Sequence, residues 1–466
     1  MIQPMKLTKK ASLLSLLLPA LLNAQEIGLL RLNPEQPARE TKVAITGGVE
    51  EGWFRPTYAG TLQWSAGARA EAVRRGEKTT WMGSVSLEHK MGYRMLSSML
   101  QEPGYFPIDL LEFSPGMKSR ETGRLEAGFV TDLGYEYAAG LKATFQAGYQ
   151  GKQTDLRHSS FGMDARVEPT LTYIMDDNMG LAMAYIVRLK TERVQLRPGD
   201  GESAFVDEGL RYGYLFDGGA FPIQELSHGP AAHFSSEDAS AGLEWTWKRG
   251  KADVPGFGSY KFPGSTVSVF YEQVFQADAA DHVLRASYRR DRDQLREKAA
   301  DGIGATSVSD RLARDVELKY EVRFLHGAVR RLGLTLDGHR HVDRYLSPIS
   351  DLVKRNLGMA TLNTSFSFGA FDLDLNALAG GALWRDQGRS REEREDTSYR
   401  RTEDWLRLMD YYMATRVGVG GAMTYHFSSP KGLYVRLDGS WLHALRKTSV
   451  GGQNREIGNL TVGYDF

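Results

Sequence analysis

The 466-residue chain contains no cysteine. Disulfides, zinc-thiolate centres, thiol redox chemistry and an acylated N-terminal cysteine are therefore excluded. It also lacks any run of about 18 apolar residues, the length a helix needs to cross a bilayer. The one apolar stretch, Ala11 to Leu22, is shorter and holds Pro19, so a helical membrane protein is excluded as well. An excess of one charge is missing too: 58 basic residues face 58 acidic ones, and nothing marks a nucleic-acid binder. HExxH, P-loop, nucleophile-elbow and EF-hand patterns are absent. Gly418, Gly420 and Gly421 miss a dinucleotide fingerprint because Met423 stands where the third glycine belongs, and in a strand they serve curvature or close packing. His158-Ser159 and Ser227-His228 are sequence neighbours, which does not make either a catalytic pair. The chain reads as a non-enzyme with no cofactor.

What is present begins with a secretory signal. Lys6, Lys9 and Lys10 precede the apolar run, which ends at Asn23-Ala24, so residues 1–24 are expected to be a signal peptide cut after Ala24. Its loss removes three lysines and no acid from the 58 and 58, leaving a formal charge of −3. Residues 25–39, with Pro34 and Pro37, show no periodicity and form a short periplasmic or lumenal segment.

From Glu40 to Phe466 the pattern has a period of two. Val316, Leu318, Tyr320, Val322 and Phe324 alternate with Glu317, Lys319, Glu321 and Arg323; Leu141, Ala143, Phe145, Ala147 and Tyr149 alternate with polar neighbours in the same way. The same holds for Phe371, Leu373 and Leu375 against Asp372, Asp374 and Asn376, and for Leu433, Val435 and Leu437 against Tyr434, Arg436 and Asp438. A secreted β-sandwich or propeller would show such strands too. Turn spacing favours a transmembrane antiparallel barrel. Short connections at Ser428–Lys431, Ser367–Ala370, His326–Arg330 and Ala277–Asp281 alternate with longer ones at Arg446–Arg455, Arg385–Leu408, Val342–Asn356, Asp291–Ser307 and Gly250–Gly264. The mean hydropathy of −0.39 agrees, because a barrel needs apolar residues only at alternate positions. Counting from both ends leaves an odd number of strands unless Gly229–Ser235 is one more. That gives 18 strands, with 16 the alternative, and a single unit over residues 40–466 wide enough for an aqueous lumen unless loops fill it.

Leu460, Val462, Tyr464 and Phe466 close the chain in the same alternation. The segment resembles the C-terminal signature by which outer-membrane barrels are recognised during assembly, which implies a barrel-assembly partner, a bacterial outer-membrane location and a periplasmic C-terminus. The phrases MLQEPGYFPIDLLEFSPG, TDLRHSSF, FVDEGLRYGY and FPIQELSHG, set among these strands, resemble an uncharacterised family of Bacteroidota outer-membrane β-barrel proteins, domain-of-unknown-function family 6850. The resemblance implies no activity or catalytic residue, and it implies company with TonB-dependent uptake machinery or another envelope complex.

Three groups of candidate residues follow. Glu317, Lys319, Glu321, Arg323, Asp372, Asp374, Arg436 and Asp438 face the lumen and mix both signs. That argues against a strongly selective pore and suits cross-strand ion pairs. Asp337, His339, His341 and Asp343 share the lumenal parity set by Leu332, Leu334 and Leu336; they are either a metal or haem site or the electrostatics of the mouth. Two long loops are too apolar to stay in water. Met95–Met117, with Leu100, Tyr105, Phe106 and Phe113, and Leu196–His228, with Tyr212, Tyr214, Phe216 and Phe221, either plug the barrel, pack at its rim or dock a partner. Arg385–Arg407 reads as a solvated tip facing outer-membrane lipid and charged surface glycolipid. The function class expected is transport, a channel or an accessory of solute uptake; a structural, docking barrel is the alternative.

Overall fold

The structure is a computed structural model that describes residues 39–466, except 135, 153–156, 177, 198–203, 211–212, 257, 300–303, 348–349, 388–398 and 450–451, and except the side chains of 39, 384–387 and 399–404. The expected signal peptide, the segment up to residue 38 and Tyr212 lie outside the described residues.

The strands are β1 (Arg39–Gly52), β2 (Leu62–Arg75), β3 (Thr79–Ser98), β4 (Asp109–Asp132), β5 (Tyr137–Lys152), β6 (His158–Asp176), β7 (Met179–Leu196), β8 (Ala204–Asp207), β9 (Gly213–Phe216) and β10 (Gly219–Ser235). They continue with β11 (Ala239–Val254), β12 (Gly258–Gln276), β13 (Ala280–Lys298), β14 (Ala305–Phe324), β15 (Val329–Tyr345), β16 (Asp351–Phe368), β17 (Phe371–Gln387), β18 (Arg416–His426), β19 (Leu433–Ala444) and β20 (Asn454–Asp465); a helix, α1, spans Tyr399–Met413. Each wall strand pairs antiparallel with the next, β7 pairs with β10, and β20 returns to β1, so eighteen strands close on themselves. At the seam Val43 lies opposite Tyr464 and Thr46 opposite Thr461, whose hydroxyls meet at 2.9 Å, and the Phe466 N–H donates to the Thr41 carbonyl. A closed ladder leaves no edge strand unpaired.

Alternation sets the two faces. Ile45, Leu87, Met183, Leu318, Leu362 and Leu437, spread around the wall, are exposed and point outward, while the polar residues between them point in. An exposed aliphatic belt of this kind is what a bilayer covers, and in water it would be a severe liability. One rim carries short turns such as 76–78, 236–238, 277–279 and 369–370; the other carries the connections 53–61, 99–108, 197–218 and 388–415.

Several expected loops are shorter than their sequences suggest. Beyond the lipid belt both faces of a strand are wet and the period of two fades, so β11 and β12 run on until only 255–257 join them, and β15 and β16 until only 346–350 do. Phe113 belongs to β4, and Phe221 to β10, which is a full strand from Gly219 instead of starting at Gly229. Pro222 and Pro230 hide it in the sequence, because proline cannot donate to a ladder. The β10–β11 register indeed skips Gly229 and Pro230. A Cβ on Gly229 would stand 1.9 Å from the Trp245 carbonyl oxygen and 2.8 Å from the Thr246 Cα, both backbone. Gly229→Ala is expected to lower the unfolding free energy by about 2 kcal/mol in urea titrations in lipid vesicles; an unchanged midpoint would mean that β10 and β11 part freely there.

Candidate functional site

At the long-loop end the lumen is filled by the chain itself. The 99–108 connection folds inward, and the Gln101 side chain donates to the Gly148 carbonyl at 2.7 Å, while its backbone N–H meets Glu192 at 2.6 Å. Arg120 donates to the Gln101 carbonyl at 2.8 Å. On the β14 side Arg311 reaches three successive carbonyls, of Gly104 at 2.5 Å, Tyr105 at 2.6 Å and Phe106 at 3.1 Å, and braces its guanidinium on Asp293 at 3.0 Å. Between them Tyr105 donates to Glu225 at 2.8 Å, with the Lys190 ammonium 3.7 Å from its ring centre; burial pushes the phenol well above its usual pKa. The loop is thus a bar pinned from β4–β7 on one side to β14 on the other.

The second filling element is the β8–β9 hairpin, which adds to the start of β4 through Leu110 opposite Val206. Its tip residue Glu208 is 3% exposed and accepts from Tyr260 on β12 at 2.5 Å and Tyr345 on β15 at 3.2 Å, while Ser309 donates to its carbonyl at 2.8 Å. Desolvation raises the carboxyl to about 7, the two tyrosines pulling the other way and Glu297 and Asp207 adding to the rise. Third comes α1. Trp405, Leu408, Met409 and Met413 follow helical spacing and are buried, with Trp405 and Met409 packed on Val353 of β16. The second half of the expected solvated tip is therefore an inward-packed helix, and residues 388–398 lie outside the described residues.

The aromatic loop residues gather inside. Leu100, Phe106, Phe216 and Phe221 are almost fully buried and form one cluster with Met99, Ile108, Tyr260, Phe262 and Leu295, against which Tyr105 and Tyr214 pack; Phe113 is half-buried on β4. None of the four offers a surface to a partner. The rule that inward means polar fails here because this stretch of lumen is dry.

Most of the mixed lumenal charges have a polar or charged partner. Glu321 meets Lys319 at 3.0 Å and Arg323 at 2.6 Å; Arg436 meets Asp374 at 3.3 Å; Asp372 meets His426 at 2.9 Å; Asp438 accepts from Asn459 at 2.8 Å. Glu317 lies opposite Asp337 in the β14–β15 register. The histidine row is divided in the same way. His339 is taken by Asp315 on β14 at 2.8 Å, and His341 by Asp343 at 2.9 Å, whose other oxygen accepts from Arg355 at 2.8 Å. Among the described residues no three His, Asp or Glu side chains converge to hold a metal ion. Sequence parity located this row, but His339–Asp315 spans two strands and needs their register.

A deeper group has no local signature. Glu112, fully buried, lies between Lys118 at 2.6 Å and Lys152 at 2.5 Å, with His158 at 4.0 Å. The lysines also donate to the carbonyls of Ser98 and Ser114, which fixes the base of the 99–108 bar. Below the bar a cavity of about 300 Å³ remains, lined by Arg166, Arg188, Glu225, Glu244, Lys248 and Arg289 among others.

A family model matches residues 35–466. The chain belongs to DUF6850, a family of unknown function. No curated protein matches this DUF6850 chain. Among solved structures it is similar to the FrpB iron transporter of Neisseria meningitidis, at 8% identity over 95% of this chain and 83% of that one, with a TM-score of 0.47. It is also similar to FpvA of P. aeruginosa, at 7% identity over 92% and 72%, TM-score 0.41, and to OccAB4 of Acinetobacter baumannii, at 11% over 93% and 100%, TM-score 0.37.

Proposed function

We propose that this DUF6850 chain is a gated channel of the bacterial outer membrane, a transport-class barrel closed at rest by its own loops. The short turns and the C-terminus face the periplasm and the long-loop rim faces outward. Cleavage after Ala24, with residues 25–39 as a short periplasmic or lumenal segment, belongs to the same reading. The observation that carries it is how the filling is held. The 99–108 bar and Glu208 are joined to the wall by side-chain hydrogen bonds, which can break one element at a time, above a lumen that stays polar and charged. A lumen kept polar below a removable plug suits a small polar solute. A docking role gains nothing from the aromatic loops, since these are inside.

Arg311→Ala tests the reading. It removes three charge-assisted anchors of the bar; losing about 2 kcal/mol of closure would raise the open fraction roughly thirtyfold. Planar-bilayer recordings should show rare, brief openings for the native protein and sustained conductance for the variant. A variant that stays silent at all voltages, with its heat-modifiable band intact, would overturn the channel reading. Purification in mild detergent from the native membrane reads the partner: a TonB-dependent transporter or other envelope protein at stoichiometric yield would make the barrel an accessory of that complex.

A further inference from the structure

The outward face carries an arrangement that the lumen does not explain. Along β13, β14 and β15 the residues that share the outward parity of Leu284, Leu318 and Leu336 include Arg290, Arg314 and Arg340. The registers set Arg290 directly opposite Arg314, and Arg314 directly opposite Arg340. Like charges at directly opposed positions destabilise a sheet. No carboxylate relieves them: among the described residues none of the three makes an ion pair, and the Nε of the central Arg314 is buried without a hydrogen-bond partner. The nearby outward acid, Asp310, is engaged by Arg292 through two bonds of 3.2 Å.

The height of this row is given by its neighbours. Immediately toward the short-turn rim lie Tyr288 opposite Val316, then Ala286, Leu318 and Leu336, then Leu284, Tyr320 and Leu334, all in register across the three strands. From Ala280 to Arg290 is about the ten residues a tilted strand uses to cross the hydrocarbon. In the other direction along the same row, Val267 pairs with Arg290 and Trp245 with Val267, and Trp245 is exposed, as an interfacial aromatic would be. Three unpaired arginines therefore stand where the apolar belt ends and headgroups begin.

We propose that Arg290, Arg314 and Arg340 form a binding site for a phosphate-bearing lipid headgroup, whose acyl chains lie along the belt below them. A headgroup phosphate supplies the negative charge and the acceptor oxygens that the guanidinium groups require, and the chains fix it at this height. In the orientation proposed above, the lipid belongs to the outer leaflet; the site itself does not depend on whether the lumen conducts.

Native mass spectrometry of the detergent-solubilised full chain tests it, with a lipid A-type phosphorylated glycolipid, the same glycolipid dephosphorylated, an anionic phospholipid and inorganic phosphate as separate probes. The native protein should retain one phosphorylated lipid, and Arg290→Gln/Arg314→Gln/Arg340→Gln should lower retention by more than about tenfold. Preference for the glycolipid over the phospholipid, or the reverse, names the source. Arg314→Gln also separates ligand binding from a structural role. Removing one of three mutually repelling charges should raise the temperature of the heat-modifiable transition in lipid-free detergent while weakening lipid retention. Equal retention by native and triple-variant protein, indifference to dephosphorylation, or retention of free phosphate as strong as that of the lipid would each overturn the proposal. So would an Arg314→Gln protein that is less stable without lipid.

Discussion

Replacing Glu112 by alanine is expected to lower the unfolding free energy by about 3–5 kcal/mol, the cost of breaking a buried ion pair from one side. Glu112, Lys118 and Lys152 are each 2% exposed or less, and the single carboxylate serves both ammonium groups. Without it the lysines keep, among the described residues, only the carbonyls of Ser98 and Ser114, and two like charges remain in a dry pocket beside His158. Urea titration in lipid vesicles measures the loss. Two further variants give it a mechanism. Glu112→Gln keeps the volume and should cost nearly as much, because the missing quantity is charge. Glu112→Leu/Lys118→Met/Lys152→Met, which removes all three charges together, should lie within about 1 kcal/mol of the native protein, since well-packed apolar replacement of a buried ionic group is often neutral. A Glu112→Ala loss below about 1 kcal/mol would mean that water reaches the lysines and that the base of the bar is wet.

The wall of this barrel was legible because its physics is local. From Val316 to Phe324 one face meets lipid and the other meets charge, so the period of two is written in consecutive residues, and the inward parity of Asp337 to Asp343 follows from the three leucines before them. Where the lumen is dry that contrast disappears. Phe221 and Ile223 point inward on β10, against the rule that inward means polar, because the bar and the hairpin cover them. With Pro222 between them the segment reads as loop. The α1 stripe at Trp405, Leu408, Met409 and Met413 was visible in principle; it starts inside a charge-rich stretch and was masked by it. The Glu112 group was not visible in any window, since Lys118, Lys152 and His158 reach it from β4, β5 and β6 only once the registers of those strands are set. The same applies to the arginine row, whose members are 24 and 26 residues apart along the chain, as their numbers show, and adjacent only across the sheet.

Raising the pH through neutrality is expected to loosen the β8–β9 hairpin. Seated between Tyr260 and Tyr345, Glu208 ionises at about 7, against about 4.5 for the same carboxyl in water, with burial the leading cause. The sign follows from which state is charged. Below about pH 4.5 the group is neutral both seated and released, so its ionisation costs the seat nothing. Between about 4.5 and 7 the released hairpin gains by ionising and the seated one does not; above 7 both are charged and the difference is complete, on the order of 3 kcal/mol. Closure is therefore strongest in acid and weakest above neutrality. Of the groups facing the carboxyl, Glu297 and Asp207 repel the ionised form and add to the rise, Tyr214 lies nearby, and Tyr260 and Tyr345, which donate to it, pull the other way without cancelling the effect of burial. Among the described residues no cation pairs with Glu208, so no ion pair offsets the cost. Hydrogen exchange of the amides in 204–216, corrected for intrinsic rates, should show protection falling by more than about tenfold from about pH 5 to about pH 8. Glu208→Gln, neutral at both, should stay protected throughout, and in bilayers it should lack the rise of conductance with pH that the proposed channel function predicts for the native protein. Equal protection of the native hairpin at the two pH values would place the controlling group elsewhere and leave the bar held by Arg311 as the gate.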